Sequence, residues 1–500
     1  MKKKTYILDE LLNGSFQGPD RQEIRSVSYD SREIEAGDAF ICIKGEHHDG
    51  HFYIKQAIEA GARTVVGTDN HMLDLFAAEH PHLSFIHVKD SRSALAVLSS
   101  IVCGSPSESL HTIGVTGTNG KTTVATFTHS ILNSLSFRTG SLGTAGIWDD
   151  REKTNFKQTV PTTPEAPDIH KVLEYFCEKK MQAAVIESTS IALEQKRLET
   201  IHFNVAIHTN LTPEHLEFHQ TMDAYKKAKM KLFKQADQAV INADDPLMAD
   251  DLIHTFKGPA ITYGIRQPAD IQASHIHTTR TGTTFELDAF GTKYTVQAPV
   301  FGEYNVSNLL AAMAACHQVG FSIASILSVI SHIRKPEGRF QIVDKDVPYQ
   351  LILDYAHTPD ALAHVLESVK QIPHRKLIVM ITGIGLRDPK KRPLMARAVE
   401  SVADEVIVSV DQPGHADRQE VVNDVCRGFK QPSSPHIHTR LHREEGIHLA
   451  LDLARTGDVV LLTGIGFGGY QIVGDEKIPY SELQVIDSYY ENQSLVKKPV

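Results

Sequence analysis

The stretch that decides the fold of the central part of this chain reads Val115-Thr116-Gly117-Thr118-Asn119-Gly120-Lys121-Thr122-Thr123. It extends an apolar run that starts at Ile113. Apolar residues follow it at a spacing compatible with a helix, at Val124, Phe127 and Ile131. This order predicts a strand, a glycine-containing loop and a helix.

A loop of this kind is typical of phosphate binding. It directs backbone N–H groups and a helix N-terminus at phosphate, while Lys121 supplies a point charge and Thr122 a hydroxyl for Mg²⁺. Val115 stands where the pattern G-x-x-x-x-G-K-[ST] has its first glycine. The strand before the loop and the helix after it argue against a chance Gly-Lys-Thr turn. The stretch therefore predicts a protein that binds and hydrolyses ATP with Mg²⁺.

The composition is that of an ordinary globular protein. Its 500 residues correspond to about three domains, and a formal net charge of −10 disfavours nucleic acid as a partner. No apolar segment is long enough to span a bilayer, and the basic residues at the start lead into no signal-peptide core. The five cysteines have neither C-x-x-C nor zinc spacing, which predicts reduced thiols. We therefore expect a cytoplasmic monomer with no membrane or nucleic-acid partner.

Apolar runs and helical stretches alternate along the chain, which predicts an α/β fold with three domains. Residues 1–108 predict a small N-terminal α/β domain. Residues 109–335 predict a central domain with a doubly wound parallel sheet around the phosphate loop, and residues 336–500 predict a Rossmann-like C-terminal domain. Ser105–Ser107 and Lys335–Arg339 are the predicted linkers.

The individual elements follow from the same alternation. A change to a Thr-rich, alternating pattern at 265–300 predicts antiparallel hairpins, followed by a helix at 305–319. A helix is also predicted at 54–60. The predicted strands lie at 39–43, 64–66, 183–186, 205–207, 239–241, 351–353, 377–381, 406–408 and 459–462.

Polar residues follow many of these strands. Ligands of open α/β sheets bind beyond the carboxyl ends of the strands, so a dense set of polar strand ends predicts a long active site shared by two domains. The strand ends are Thr116–Thr123, Glu187–Thr189, Thr209–Asn210, Asn242–Asp245, Asp354–His357, Arg387–Asp388 and Asp411.

Two of the candidate residues are a carboxylate and a histidine. Glu187 directly follows an apolar strand of the ATP-binding region, where a carboxylate can hold Mg²⁺ opposite Thr122. The alternative is a solvated glutamate at a strand end. His215 lies in a polar stretch, and a lone loop histidine is usually structural, so its surroundings in the sequence do not assign it a role.

Lys229 is an anomaly of the predicted helix at 222–233. By the i, i+3, i+4, i+7 rule it shares a face with Met222, Tyr225 and Leu232. Burial of an ammonium is unfavourable unless it is paired or discharged, and desolvation lowers the pKa of a lysine. A neutral amine can react with CO₂ to give a carbamate that binds Mg²⁺. A lysine that snorkels to solvent is the alternative, and the pattern leaves both open.

These motifs, in this order, resemble the Mur ligase family and its MurE type, and the resemblance covers nearly the whole chain. Members extend UDP-N-acetylmuramoyl-L-alanyl-D-glutamate by one amino acid in peptidoglycan synthesis. The matching motifs are Asp30-Ser31-Arg32, Gly37-Asp38-Ala39-Phe40, Thr116–Thr123, Thr162-Thr163-Pro164-Glu165, Thr209–Lys229, Asn305 with Asn308, Gly338-Arg339-Phe340, Asp354–Pro359 and Lys391–Met395.

The resemblance implies a role for individual residues. Lys121 and Thr122 would bind the ATP phosphates and Mg²⁺, Glu187 and His215 would be metal ligands, and Lys229 would be carbamylated. Further nucleotide contacts would come from Asn308, Arg339 and Asp354. The UDP-sugar peptide and the amino acid would be held by Ser31, Thr162, Thr163, Thr189, Gln195, Arg197, Asp411 and Gly464.

The chain departs from the family at four motifs. E-V-S-S-H-A-L becomes Glu187-Ser188-Thr189-Ser190-Ile191-Ala192-Leu193, and G-G-D-R-D becomes Ile384-Gly385-Leu386-Arg387-Asp388. D-N-P-R becomes Asp411-Gln412-Pro413-Gly414, and G-K-G-H-E becomes Gly464-Ile465-Gly466-Phe467-Gly468. The last two changes remove the arginine and the glutamate that recognise the distal end of meso-diaminopimelate. A site without its ion-pair partners rejects such a substrate.

The expected reaction is ATP-dependent amide formation through an acyl phosphate, and Arg387 is the candidate that pairs with the α-carboxylate of the amino acid. A surface ion pair with Asp388 is the alternative for Arg387. Three hypotheses stay open: a MurE-type ligase for an amino acid other than meso-diaminopimelate, a paralogous ligase with another acceptor or amine, and a silent nucleotide-binding regulator. The intact loop and metal residues favour an enzyme.

Overall fold

The computed structural model describes residues 5–45, 48–156, 160–279, 281–464 and 469–496. It divides into two compact units, one formed by residues 1–271 and 310–329 and the other by residues 272–309 and 330–500. The predicted boundary at residue 108 lies within the first unit, and the one at residue 335 lies within the second. The division into three domains therefore stays a prediction.

The N-terminal part of the first unit has a five-stranded sheet in the order β2-β7-β6-β5-β4, with β1 paired to β3. Helix α4 begins after Asp90, whose carboxylate accepts the amides of Arg92 and Ser93, as an N-cap does. The strands are β1 Thr5–Ile7, β2 Gly14–Gln17, β3 Arg21–Glu23, β4 Val27–Ser28, β5 Ala39–Ile41, β6 Thr64–Gly67 and β7 Ser84–Val88, and the helices are α1 Leu8–Leu11, α2 Ile54–Glu59, α3 Asn70–Glu79 and α4 Ser91–Val102.

The central sheet of the first unit has the strand order β10-β9-β11-β8-β12-β13-β14. All its pairs are parallel except β9 with β10, and its strands are buried on both faces, which explains their apolar runs. The strands are β8 His111–Thr116, β9 Thr139–Gly143, β10 Gly146–Trp148, β11 Ala183–Glu187, β12 Phe203–His208, β13 Ala236–Asn242 and β14 Ala260–Gly264.

Helices cover this sheet. Helix α5 packs on β8, β9 and β11, and α9 packs on β8, β12 and β13. The helices are α5 Lys121–Ser134, α6 Ala166–Glu178, α7 Ser190–Glu194, α8 Leu216–His219, α9 Met222–Lys234 and α10 Ala249–Thr255. The predicted α/β class, the strand–loop–helix around the phosphate loop and the parallel central sheet are confirmed.

The second unit holds the predicted hairpin and a six-stranded sheet. β16 pairs with β17 antiparallel, and the six-stranded sheet has the order β18-β19-β23-β20-β21-β22. The strands are β15 Ile271–Thr278, which starts at the last residue of the first unit, β16 Thr283–Ala289, β17 Thr292–Ala298, β18 Gln341–Val343, β19 Gln350–Asp354, β20 Leu377–Ile384, β21 Glu405–Asp411, β22 Ile437–Thr439, β23 Val459–Thr463, β24 Tyr470–Val473 and β25 Glu476–Pro479.

Seven helices complete the described chain. α11 starts in the second unit and runs into the first, to which α12 belongs, and the other five belong to the second unit. They are α11 Glu303–Gln318, α12 Ile323–Val329, α13 Pro359–Lys370, α14 Arg392–Val399, α15 Arg418–Cys426, α16 Arg443–Leu453 and α17 Glu482–Val496. Among the described residues, no helix combines the length and the apolar character needed to cross a membrane.

One predicted linker is wrong. Ser105 precedes a short 3₁₀ helix, Pro106–Ser109, in which Pro106 and Ser107 are buried. Proline at the start of the turn fixes its backbone angle, and the Pro106 carbonyl accepts a hydrogen bond from Cys177 Sγ at 3.4 Å. Composition predicts a linker for a polar, proline-containing segment, but it does not show that this segment packs against α6.

Candidate active site

The phosphate loop lies at the carboxyl end of the central sheet. Glu187 at the end of β11 is in register with Val115, and His208 at the end of β12 is in register with Thr116. Gly117 has φ +150°, and a Cβ there would overlap the hydroxyl of Thr209. Only glycine fits this position, so the close packing of the loop against β12 explains why it is glycine.

Lys121 folds over the loop that precedes it. Its Nζ donates to the carbonyl oxygens of Gly117 and Thr118, at 2.8 Å each. Gly120, with φ +86°, precedes the first turn of α5, where amides without helical partners collect. An ammonium and a helix N-terminus above a glycine loop fit a phosphate ligand.

Thr122 and Glu187 meet beside the loop. The Thr122 hydroxyl donates to Glu187 Oε2 at 3.0 Å, and the carboxylate also accepts the amide of Thr144 at 2.8 Å. Glu187 is 1% exposed. A hydroxyl and a carboxylate are oxygen ligands that Mg²⁺ accepts, so this pair fits the predicted cation.

Gly143 fixes where that carboxylate can lie, because a Cβ at this position would overlap the Glu187 carboxylate. We expect Gly143→Ala to displace the carboxylate and to raise the Mg²⁺ concentration needed for half-maximal activity about tenfold, since one oriented ligand is lost. Activity titrated with Mg²⁺ measures this. Gly140→Ala on the same strand is the control, because its Cβ would meet the Phe176 ring in the core instead. Gly140→Ala should lower the melting temperature and leave the Mg²⁺ dependence of activity unchanged. If Gly143→Ala and the wild type reach half-maximal activity at the same Mg²⁺ concentration, Gly143 does not position the Glu187 carboxylate for Mg²⁺.

Lys229 is buried below the loop. It is 1% exposed, its Nζ donates to the Gly117 carbonyl at 2.7 Å, and it lies 4.4 Å from the centre of the Tyr225 ring. The snorkelling alternative is therefore wrong, because the ammonium does not reach solvent. Burial holds the pKa of Lys229 well below its usual range, and the charge of Lys121 lowers it further.

His215 also lies near Tyr225. It has a left-handed backbone with φ +55°, and its ring centre is 6.2 Å from that of Tyr225. Burial lowers the pKa of His215; Glu214 opposes this shift and the charges of Lys121 and Lys229 add to it. A neutral imidazole is the form that binds metal. Within the described residues, no three His, Cys, Asp or Glu side chains cluster as metal ligands.

The residues predicted to hold the sugar nucleotide form a second cluster beside Glu187. The Thr163 hydroxyl donates to the Glu187 carbonyl at 2.7 Å and lies 3.0 Å from the Thr189 hydroxyl. Arg197 donates to the Thr163 carbonyl at 2.8 Å and to Gln195 Oε1 at 2.6 Å. Thr162 joins this cluster indirectly, because its hydroxyl lies 2.9 Å from that of Thr144, which also contacts Glu187.

A cavity of about 490 Å³ adjoins this cluster. Ser31 lines it and donates to Gln56 at 3.0 Å. Glu165 also lines it, and its carboxylate lies 3.0 Å from the guanidinium of Arg197. Ser31, one of the residues predicted to hold the UDP-sugar peptide, therefore faces a cavity whose lining residue Glu165 pairs with Arg197, another of them.

The predicted nucleotide residues of the second unit lie near one another. Asn308 donates to Asn305 at 3.3 Å, and the Arg339 guanidinium stacks on the Tyr355 ring at 4.5 Å. Asp354 accepts the amides of Phe340 and Ala356. Burial raises the pKa of the Asp354 carboxyl, and the nearby Arg339 guanidinium opposes that shift.

The residues predicted to hold the amino acid differ in exposure. Arg387 is exposed, whereas Asp411 is buried, with Oδ2 3.9 Å from Nε of Arg443. Gly464 has φ +121°, and a Cβ there would lie 2.8 Å from the Arg443 guanidinium. Ile465, Gly466, Phe467 and Gly468 lie outside the described residues.

Several residues of these clusters were not singled out from the sequence. Thr144 and Arg443 belong to no local pattern that marks them, and Glu165 closes the motif Thr162–Glu165 without a role of its own. Tyr225 was assigned only to the apolar face of α9. Its hydroxyl lies 3.1 Å from that of Thr118, so it links the phosphate loop to the neighbourhood of His215 and Lys229.

Comparison with known proteins gives three matches to family models along the chain. They are the Mur ligase family catalytic domain at residues 23–101, the Mur ligase middle domain at residues 115–316 and the Mur ligase glutamate ligase domain at residues 338–466.

Similar individual proteins cover nearly the whole chain. The UDP-N-acetylmuramoyl-L-alanyl-D-glutamate–2,6-diaminopimelate ligase of Geobacillus kaustophilus is 35% identical over 93% of this chain and 94% of its own length. The ligase of the same name from Clostridium perfringens is 33% identical over 96% and 98%. A solved structure with this name has a TM-score of 0.71 at 28% identity and covers 98% of this chain and 100% of its own.

Proposed function

The chain belongs to the Mur ligase family, and from this premise we propose that it joins an amino acid to the D-glutamate carboxylate of UDP-N-acetylmuramoyl-L-alanyl-D-glutamate at the expense of ATP. The observation that carries the proposal is Lys229, a fully buried amine 2.7 Å from a carbonyl of the phosphate loop. A lysine at this position would contribute to catalysis if its amine became a carbamate that binds Mg²⁺. The cytoplasmic location and the monomeric state stay predictions.

The roles of the chain's own residues follow from their places. Lys121 and the amides at the start of α5 would stabilise the charge that develops on the transferred phosphoryl group. The cluster around Thr163 and Arg197 would hold the acceptor so that its carboxylate can take up that group. Mg²⁺, held by Thr122, Glu187, His215 and carbamylated Lys229, would supply charge neutralisation at the phosphates.

Arg387 would complete the site for the second substrate. An exposed guanidinium after a strand end can pair with the α-carboxylate of an amino acid through two hydrogen bonds. The free amine of that amino acid then displaces phosphate from the activated carboxylate, and the amide forms.

We further propose that the amino acid differs from the meso-diaminopimelate-type substrate in the names of the relatives. Gly414 stands where the family has its arginine. It has φ +55°, and a Cβ there would overlap the side chain of Leu386. Its amide donates to the Ile472 carbonyl at 3.0 Å and its carbonyl accepts the Gly474 amide at 2.8 Å. This backbone favours glycine, because a positive φ strains any residue with a Cβ and Leu386 would also have to move.

The test is phosphate release with ATP, Mg²⁺ and the UDP-muramoyl dipeptide across a panel of amino acids that includes meso-diaminopimelate, lysine and neutral amino acids. We expect release with an amino acid that lacks a charged distal carboxylate, and at least about a hundredfold lower kcat/KM for meso-diaminopimelate, since its distal carboxylate would lose an ion-pair partner. Preference for meso-diaminopimelate would contradict the proposed substrate. Release only with another carboxylate acceptor would indicate a paralogous ligase, and no release with any combination would indicate a silent regulator.

A further inference from the structure

Asn210 holds the phosphate loop from the neighbouring strand end. Its backbone carbonyl accepts the Thr118 amide at 2.8 Å, and its side-chain Oδ1 accepts the Asn119 amide at 2.9 Å. Its Nδ2 donates to the Asn119 carbonyl at 3.2 Å. One residue thus engages the peptide groups on both sides of Asn119.

The segment around Asn210 is itself fixed. The Thr209 hydroxyl donates to the same Asn119 carbonyl at 2.6 Å, and the Thr212 amide donates to the Thr118 hydroxyl at 2.9 Å. From the next strand, Nδ2 of the buried Asn242 donates to the Thr209 carbonyl at 2.6 Å. The loop therefore rests on a chain of hydrogen bonds that runs across the ends of β12 and β13.

These contacts divide the loop amides into two groups. The amides of Thr118 and Asn119 donate to Asn210. The phosphates would therefore be bound by the amides that follow at the start of α5 and by Lys121. A loop that already has its ligand-binding shape loses less conformational freedom when the ligand binds.

We propose that Asn210 is a positioning residue, which holds the phosphate loop in its nucleotide-binding shape without contacting the nucleotide. This rests on the nucleotide binding proposed above. A merely structural role would make Asn210 equivalent to Asn204, whose Oδ1 accepts the Thr112 amide at 2.8 Å. Asn204 also joins β12 to β8, and both asparagines are half-buried, but Asn204 lies at the opposite end of the strands.

The experiment compares Asn210→Ala, Asn210→Asp and the control Asn204→Ala by calorimetric titration with ADP and Mg²⁺, and by thermal unfolding. Loss of both side-chain bonds is expected to weaken ADP binding about tenfold in Asn210→Ala, and loss of the Nδ2 bond alone about threefold in Asn210→Asp. KM for ATP should rise while KM for the UDP-muramoyl dipeptide stays within about twofold. Asn204→Ala should lower the melting temperature with unchanged ADP affinity.

Two results would overturn the inference: ADP affinity unchanged in folded Asn210 variants, or an equal loss in Asn204→Ala. Asn210→Asp keeps the shape and the acceptor of asparagine. Should the Asn210 variants fail to fold, Asn242→Ser is measured in the same assay; it removes the Nδ2 bond to Thr209 and the Oδ1 bond that accepts the Asp244 amide at 3.0 Å. Asn242→Ser is expected to weaken ADP binding about threefold, since the bond to Thr209 is lost. Wild-type protein that binds no ADP would instead contradict the proposed function.

Discussion

Replacing Lys229 by alanine is expected to reduce ATP-dependent phosphate release about a thousandfold, the order that follows from losing a metal ligand that helps to neutralise transition-state charge. The side chain is 1% exposed and lies against the Gly117 carbonyl and the Tyr225 ring. Lys227→Ala on the same helix is the control, because that lysine is 72% exposed and pairs with Asp223 at 2.7 Å. It should keep wild-type activity.

The same variant tests the carbamate directly. CO₂ reacts with a neutral amine, and burial together with Lys121 keeps the pKa of Lys229 well below its usual range, so the reactive form is present at lower pH than for an exposed lysine. We expect added bicarbonate to raise wild-type activity and acetate to restore part of the activity of Lys229→Ala, because its carboxylate can occupy the vacated space. A native mass without one added CO₂, together with no response to bicarbonate, would contradict the modification.

The low pKa of Lys229 also has a consequence for stability. Between the folded pKa and the unfolded value of about 10.4, the unfolded chain binds the proton and the folded chain does not, so the free energy of unfolding rises with pH across this interval. Lys229→Met, in buffer without bicarbonate or metal, should lack this slope and melt at a higher temperature than the wild type at neutral pH. Catalysis and stability would then favour different residues at position 229.

Local patterns account for what the sequence predicted correctly. The phosphate loop and the strands of the central sheet follow from spacings within one strand or one helix turn, whereas the spacing of Lys229 left burial and snorkelling both open. The contact between Thr122 and Glu187 was also expected, because both follow strands of a parallel sheet and strand ends meet at one edge.

The rest depends on pairs that are distant in the sequence. Thr144 reaches Glu187 across 43 positions, and Arg443 reaches Thr382 across 61. No periodicity encodes such pairs. Asp411 illustrates the limit: the structure buries it beside Arg443, a pairing that no local pattern predicts, and its contact with the substrate stays a prediction.

Replacing Arg443 by methionine is expected to lower the free energy of unfolding by about 3–5 kcal/mol, the range for breaking a buried ion pair on one side. The guanidinium is 2% exposed. It pairs with Glu482, lies 3.9 Å from Asp411, and donates to the Thr382 hydroxyl at 2.6 Å and the Thr463 carbonyl at 3.0 Å. Without it, the carboxylates of Glu482 and Asp411 stay buried at the end of the six-stranded sheet and lose this cation.

The pH dependence of the free energy of unfolding distinguishes the loss of the Arg443 charge from a simple loss of packing. Burial raises the pKa of the Glu482 carboxyl, and Arg443 opposes that shift, so its removal should raise the pKa further. A group whose pKa is higher in the folded state stabilises the fold below its unfolded pKa and loses this effect as the pH rises. The destabilisation of Arg443→Met should therefore be largest at neutral pH and shrink towards pH 4.5, the ordinary value for this carboxyl.

Denaturant unfolding of a matched set measures both effects. Arg443→Met/Glu482→Leu removes the pair together and should recover part of the loss, because replacing a whole buried pair by apolar groups is often neutral. Arg375→Met is the control, since Arg375 is half-exposed and its partner Asp458 also accepts the amides of Lys376 and Arg455. Arg375 helps to lower the pKa of Asp458 from an ordinary value of 3.8, so the loss of stability in this variant should be smaller and should change mainly at more acidic pH than in Arg443→Met. A double variant no more stable than Arg443→Met, with the same deficit at every pH, would mean that Arg443 contributes through packing rather than through charge.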